Sequence, residues 1–323
     1  MEMTPAVKKK SRFRQVLKNL NNNKVFLLML MPGSILLLIF SYLPMPGIII
    51  AFKKMRFYSP SIITNIVDSK WMGLKNFEFL FNTPDAWRIT RNTVGYNLIF
   101  IITVTILSVL FAVMLNEVKN KGLSKLYQTT MMLPYFLSWV VVSYIVYAFF
   151  NETYGIVNKV ILPALGKDAV MWYTNLKAWP AILIFLNAWK NIGYSAVVYI
   201  AAMSGIDQEL YEAASIDGAS KLQQIRCITL PHLTPLITIL TILAVGRIFQ
   251  GDFGLFYFAT MNQGGGVLKA VTDVINTYTY DVLNNGNIGM AAAASLYQSV
   301  VGFVLVLAAN FVVSKIDEEN SLF

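Results

Sequence analysis

Residues able to do covalent or metal chemistry are scarce in this chain of 323 residues. There is one cysteine, Cys227, and one histidine, His232. A lone thiol cannot close an intrachain disulfide, and neither residue has the further ligands that a zinc site wants. A Ser-His-Asp constellation lacks a partner set around the single imidazole. The nearest approach to a phosphate-binding loop is Gly166-Lys167. Asp168 follows it, where the magnesium-binding hydroxyl is needed. No catalytic or metal-ligating residue is assigned, and the chain itself is not expected to hydrolyse ATP.

Polar residues set inside apolar stretches are more informative. The stretch Ala181 to Met203 carries Asn187, Lys190, Asn191, Tyr194 and Ser195. Their spacing of three and four places them on one face of a helix. The next long apolar stretch carries Gly246, Arg247, Gln250 and Asp252, with Arg247 and Gln250 sharing a face at i, i+3. Polar and ionisable residues inside a membrane are costly and are functional candidates by default. A second reading is open for the two cations: Arg247 pairs with Asp252 or with a neighbouring chain, and Lys190 snorkels to the membrane interface.

The elements that must position these residues are membrane spans. Apolar residues make up 56% of the chain and charged residues 13%, with a mean hydropathy of +0.57. Soluble domains carry about 25% charge, so the composition points to a membrane-embedded protein and away from a soluble globular enzyme. The net charge of +9 would suit nucleic acid or an anionic membrane. The basic residues adjoin apolar stretches, so membrane lipid is the expected partner and nucleic acid is not. A bilayer needs about 20 apolar residues per helix. Six stretches qualify: Val25 to Tyr42, Thr93 to Leu115, Thr129 to Phe150, Ala181 to Met203, Leu233 to Phe256 and Gly289 to Val313.

The expected architecture is all-α and polytopic, one membrane domain over residues 25–313. A basic arm precedes it (1–24) and a short tail follows (314–323). The arm holds seven Lys and Arg, which places it in the cytoplasm. Six crossings return the tail to the same side. Trp71 and Trp87, in the first external segment, are candidate interfacial anchors.

The cytoplasmic segment 204–232 reads LYEAASIDGASKLQQIRCITLP from Leu210 to Pro231. A short helix, a glycine, a second helix and a proline opening the next span are expected. Glu212-Ala213-Ala214 favour helix, and Gly218 lets the backbone turn or another surface approach. The pattern Glu-Ala-Ala, three residues, Gly, nine residues, Ile-x-Leu-Pro resembles the EAA loop of ABC importer permeases. It falls on Glu212, Ala213, Ala214, Gly218, Ile228, Leu230 and Pro231. Further likeness to carbohydrate permeases lies in Leu43 to Lys53, in Trp71-x-Gly73-Leu74-x-Asn76-Phe77, in Arg91-Asn92-Thr93, in Leu133 to Val141, and in Asn276-Thr277-Tyr278-x-Tyr280. The nearest subgroup serves polysaccharide-derived oligosaccharides, including pectin fragments in Gram-positive bacteria.

That resemblance implies a type I ABC importer permease fold in a bacterial plasma membrane. Its partners would be a second, different permease, two ATPase subunits and an extracellular solute-binding lipoprotein, with ATP and magnesium held on the ATPase. Residues Glu212, Ala213, Ala214, Asp217, Gly218 and Ala219 would form the coupling helix that seats in the ATPase. Glu212 would contact basic groups there or cap its own helix. In maltose-type permeases the counterparts of Asn187, Asn191 and Tyr194 contact sugar, and those of the Gly246–Asp252 region line the same cavity. Asn191 stands in place of a glycine and Lys190 in place of an aliphatic residue, so the pocket shape differs. Trp189 and Tyr194 offer faces for a pyranose, and the two cations would suit a uronate-containing solute. The small residues of the last span (Gly289, Ala291 to Ala294, Gly302) read as packing, and Gln298 as interhelical glue. The rival function is an ion-coupled secondary carrier. Such carriers place acids within their spans, and here the acids fall in loops or near span ends, Asp252 being the nearest exception.

Overall fold

A computed structural model describes residues 23–79, 83–261 and 266–316. Most of the basic arm, and the tail from residue 317, lie outside the described residues. Two units meet at Ile50 and Ala51. The first contains α1 (Lys24–Leu37), which passes into a π turn at Leu38–Tyr42. Helical backbone continues as far as Phe52, enough to cross a membrane.

The second unit opens with a small module of two short strands and a helix. Strands β1 (Lys53–Lys54) and β2 (Lys70–Trp71) pair antiparallel around α2 (Ile62–Asp68). Asn65 is its hub, accepting from the backbone N–H groups of Tyr58 and Ser59 at 2.9 Å. Trp71 stacks on Phe52 with ring centroids 5.7 Å apart.

The long helices follow. α3 (Pro84–Asn116) starts on a proline, which loses nothing where no intrahelical N–H bond exists. α4 (Lys121–Phe136) is capped by the Asn120 side chain, and α5 (Trp139–Phe150) by Ser138. Then come α6 (Trp179–Met203), α7 (Gln208–Ile216) and α8 (Lys221–Gly246). Between the last two spans lie α9 (Phe253–Phe258), α10 (Lys269–Thr272) and α11 (Ile275–Asn284), and α12 (Ile288–Ile316) closes the bundle. Among the described residues five helices are long and apolar enough to cross a membrane, and α4 with α5 make a sixth if counted as one bent span.

Three sequence expectations are corrected here. The third span is not a straight run from Thr129 to Phe150. It begins at Lys121 and breaks at Leu137 and Ser138, where α4 and α5 diverge by 97°. The Ser138 hydroxyl accepts from Val141 N–H, so the chain restarts a helix instead of continuing one. The fifth span starts at Lys221, not Leu233, and stops at Gly246, short of the expected Phe256. Pro231 therefore lies inside a continuous helical run. The ladder widens to a π turn at Ile225–Thr229 just before it, as expected where a proline removes a donor.

Apolar burial alone does not drive membrane helices together, because lipid is as apolar as leucine, so close backbone approach matters. A Cβ added to Gly193 of α6 would lie 1.8 Å from the Met131 carbonyl oxygen of α4. At Gly246 it would meet Val306 of α12 at 2.0 Å, and at Gly302 it would meet the Gly246 carbonyl oxygen at 2.8 Å. Ala293 and Ala294 of α12 are fully buried. The small residues of the last span thus do the packing expected of them.

Candidate functional site

A cavity of about 620 Å³ opens between α3, α6 and the C-terminal end of α8. α6 supplies Asn187, Asn191, Tyr194 and Ser195, and the chain leaving α8 supplies Arg247 and Gln250. α3 adds Asn97, Phe100 and Thr105. Asn187 is 7% exposed, and its side-chain amide has no hydrogen-bond partner among the described residues. Asn191 donates one hydrogen bond to the Asn187 carbonyl oxygen at 2.9 Å. Tyr194 stacks on Tyr135 at 4.5 Å and remains half exposed to the cavity. Arg247 is exposed there and forms no ion pair among the described residues, Asp252 included.

Four residues expected at this site stand elsewhere. Lys190 turns away from the cavity. The residue is 9% exposed, and its ammonium donates to the carbonyl oxygens of Pro134 at 3.2 Å, Tyr135 at 2.9 Å and Leu137, at the break of the third span. It neither snorkels nor lines the wall. Asp252 caps α9, accepting from Leu255 N–H at 3.2 Å and from the Trp139 indole N–H at 2.9 Å. Gly246 is committed to the contact with α12. Trp189 packs against the bundle core and not along the cavity.

The segment Arg247–Asp252 is held from both sides. Gln298 of α12 donates to the Phe249 carbonyl oxygen at 2.7 Å and to Asn276, and Asn276 donates to the Gly251 carbonyl oxygen at 2.7 Å. Gln298 is the interhelical glue expected of it. Sequence reasoning missed Asn97, Thr105 and Tyr199. The signal for Asn97 was present, as an amide inside an otherwise apolar stretch, but only assembly of three helices shows which polar residues converge.

The second site is the knuckle at α7. Its helix ends in a left-handed cap: Gly218 has φ of +81°, Gly218 N–H reaches the Ser215 carbonyl oxygen at 3.2 Å, and Ala219 N–H reaches that of Ala214 at 2.9 Å. This is the pairing of a Schellman motif, which strongly favours glycine. Asp207 caps the start of α7 and Ser220 with Gln223 forms a capping box for α8. Asp207 fills the cap, and the Glu212 side chain is exposed without a partner among the described residues. Asp217 is exposed too, while Ile216 and Leu222 are 87% and 74% exposed. The knuckle is tied to α8 by Tyr211 and Thr229, whose hydroxyls lie 2.9 Å apart, and by Gln224, which donates to Ser215 at 2.8 Å.

Apolar spans around a cavity that carries several polar side chains, with an exposed knuckle between two of the spans, fit a membrane permease. The chain belongs to the family of binding-protein-dependent transport system inner membrane components, which matches residues 104–318. It is the permease of an ABC importer, not an ion-coupled carrier. It is 32% identical over 97% of its length, and 94% of the relative's, to the polygalacturonan/rhamnogalacturonan transport system permease protein YteP of Bacillus subtilis. The fold is similar, with a TM-score of 0.82 and 32% identity, to a chain of a bacterial ABC transporter involved in import of the acidic polysaccharide alginate, covering 94% of this chain and 99% of that one. A second structure of a bacterial alginate ABC transporter, in complex with its alginate pentasaccharide-bound periplasmic protein, matches with a TM-score of 0.81 at 32% identity over 93% and 97%.

Proposed function

We propose that this permease passes acidic oligosaccharides, of the uronate-containing kind found in pectin fragments. The observation that carries the proposal is Arg247, a guanidinium at the cavity wall with no carboxylate partner among the described residues. A cation so placed is costly unless something supplies the counter-charge. Arginine's planar fork binds a carboxylate bidentately, as lysine's point charge does not. The amides of Asn187 and Asn191 and the phenol of Tyr194 serve sugar hydroxyls, and the face of Tyr194 serves a pyranose ring. The cavity volume falls in the ~300–1,000 Å³ range of small-molecule sites. The names of the pectin-fragment and alginate relatives support the same ligand class.

In this reading a second, different permease completes the translocation path. Two separate ATPase subunits hold ATP and magnesium, and a solute-binding lipoprotein delivers the oligosaccharide from outside. The membrane is the plasma membrane of a Gram-positive bacterium, with arm, knuckle and tail on its inner side. The ATPase grips Glu212, Ala213, Ala214, Asp217, Gly218 and Ala219. Movement of the knuckle reaches the cavity along α8, a span of 26 residues and ~39 Å that ends one residue before Arg247.

The test is uptake by the complete complex carrying Arg247→Met, with acidic and neutral oligosaccharides of equal length. Loss of a charge-assisted pair predicts at least about tenfold weaker uptake of the acidic solute and little change for the neutral one. Equal losses for both would sink the charge-matching idea.

A further inference from the structure

We propose that Lys190 is a positioning residue: it fixes the bend of the third span and, through Trp139 and Asp252, the wall of the cavity, without meeting the solute. The proposal rests on the permease reading above but not on the acidity of the ligand.

The argument starts at the break. α4 ends at Phe136 and the chain turns 97° before α5. The last carbonyls of any helix lack intrahelical partners, and a helix end buried in protein needs a donor from elsewhere. Lys190 answers this need from the middle of α6. Its ammonium has three donors and no acceptor, and it places them on the carbonyl oxygens of Pro134, Tyr135 and Leu137. A positive charge also suits the C-terminal end of a helix dipole. The close approach of Gly193 to the Met131 backbone brings α4 and α6 near enough for this reach.

The same ammonium lies 5.2 Å from the ring centroid of Trp139 and 5.9 Å from that of Tyr135. Both rings lead to the cavity. Tyr135 stacks on Tyr194, which lines it. Trp139 is the first residue after the break, packs against Gly254, where a Cβ would come within 2.1 Å of its ring, and donates to Asp252. Asp252 closes the segment that presents Arg247 and Gln250. Lys190 thus touches two routes to the binding surface and none of the solute's space.

A positioning residue and a charge-pairing residue predict different kinetics. In the complete reconstituted complex, Lys190→Met should weaken apparent affinity for acidic and neutral oligosaccharides alike, by about tenfold, with their ratio unchanged. Arg247→Met in the same assay reports separately on ligand acidity. Combining Lys190→Met with Asp252→Asn should cost less than the sum of the two single effects, because both act through Trp139. A Lys190→Met loss confined to acidic solutes, or strictly additive effects, would overturn the proposal. If Lys190→Met fails to assemble, Trp139→Phe supplies the test: it removes the bond to Asp252 while leaving the capped carbonyls intact. It should weaken both solutes by a smaller, equal factor, and unaltered affinity for both would overturn the relay.

Discussion

At the residue scale the candidate site divides into polar groups without side-chain partners among the described residues and groups already spent. Asn187, Arg247 and Gln250 face the cavity without hydrogen-bond partners for their side chains among the described residues. Lys190 and Asp252 carry charges too, but each is consumed by helix ends. The distinction can be tested with a charge added at a waiting position. Asn187→Asp puts a carboxylate in the cavity at nearly constant volume, so it should depress uptake of acidic oligosaccharides well beyond that of neutral ones. Competition between the two solutes in one preparation measures the ratio, and a ratio equal to the parent's would show that Asn187 does not face the solute.

At the element scale the knuckle is the most sharply specified part. Gly218 at φ +81° ends α7. A residue with a Cβ costs about 1–2 kcal/mol in that conformation, and a Cβ there meets nothing within 4 Å in this chain. Gly218→Trp should therefore leave the spans inserted and stable while crowding the surface that the proposed ATPase partner would grip. Co-purification of the ATPase with the variant, against insertion measured by protease protection, checks this; a fully coupled Gly218→Trp complex would remove the docking role. This element was legible in the sequence because its determinants are local. A cap, a helix-forming pair and an αL glycine lie within a dozen residues of each other. The bent span was not legible. Apolar content is the same for a straight helix and a broken one, and the partner that makes the break tolerable, Lys190, lies more than fifty residues away in the chain. The end of α8 was missed for a similar reason, since Ile248 and Phe249 continue the apolar run while the backbone turns away.

At the scale of the whole molecule, the proposed function requires that work done at the knuckle appear at the cavity. Tyr211, Thr229, Gln224 and Ser215 bind the knuckle to α8, and α8 runs to the Arg247 segment. Proteoliposomes holding the complete complex should accumulate oligosaccharide only with ATP. Imposed proton or sodium gradients should drive none; uptake on a gradient alone would contradict the mechanism.

Amino-acid sequence alone determined the class of molecule, the existence of the spans and the form of the knuckle. Each depends on short-range rules: the length of an apolar run, the residue at a cap, the sign of one φ. Tertiary structure decided which polar residues share a space. At 100° per residue, Lys190 lies about 60° from Asn187 round α6, and Asn191 about 40° to the other side. Spacings of three and four look like one face in a string of letters, yet they are the two flanks of that face. One flank meets the broken end of α4, the other meets a cavity. Only the packing of neighbouring helices commits the lysine to a helix end and leaves Arg247 on the cavity wall.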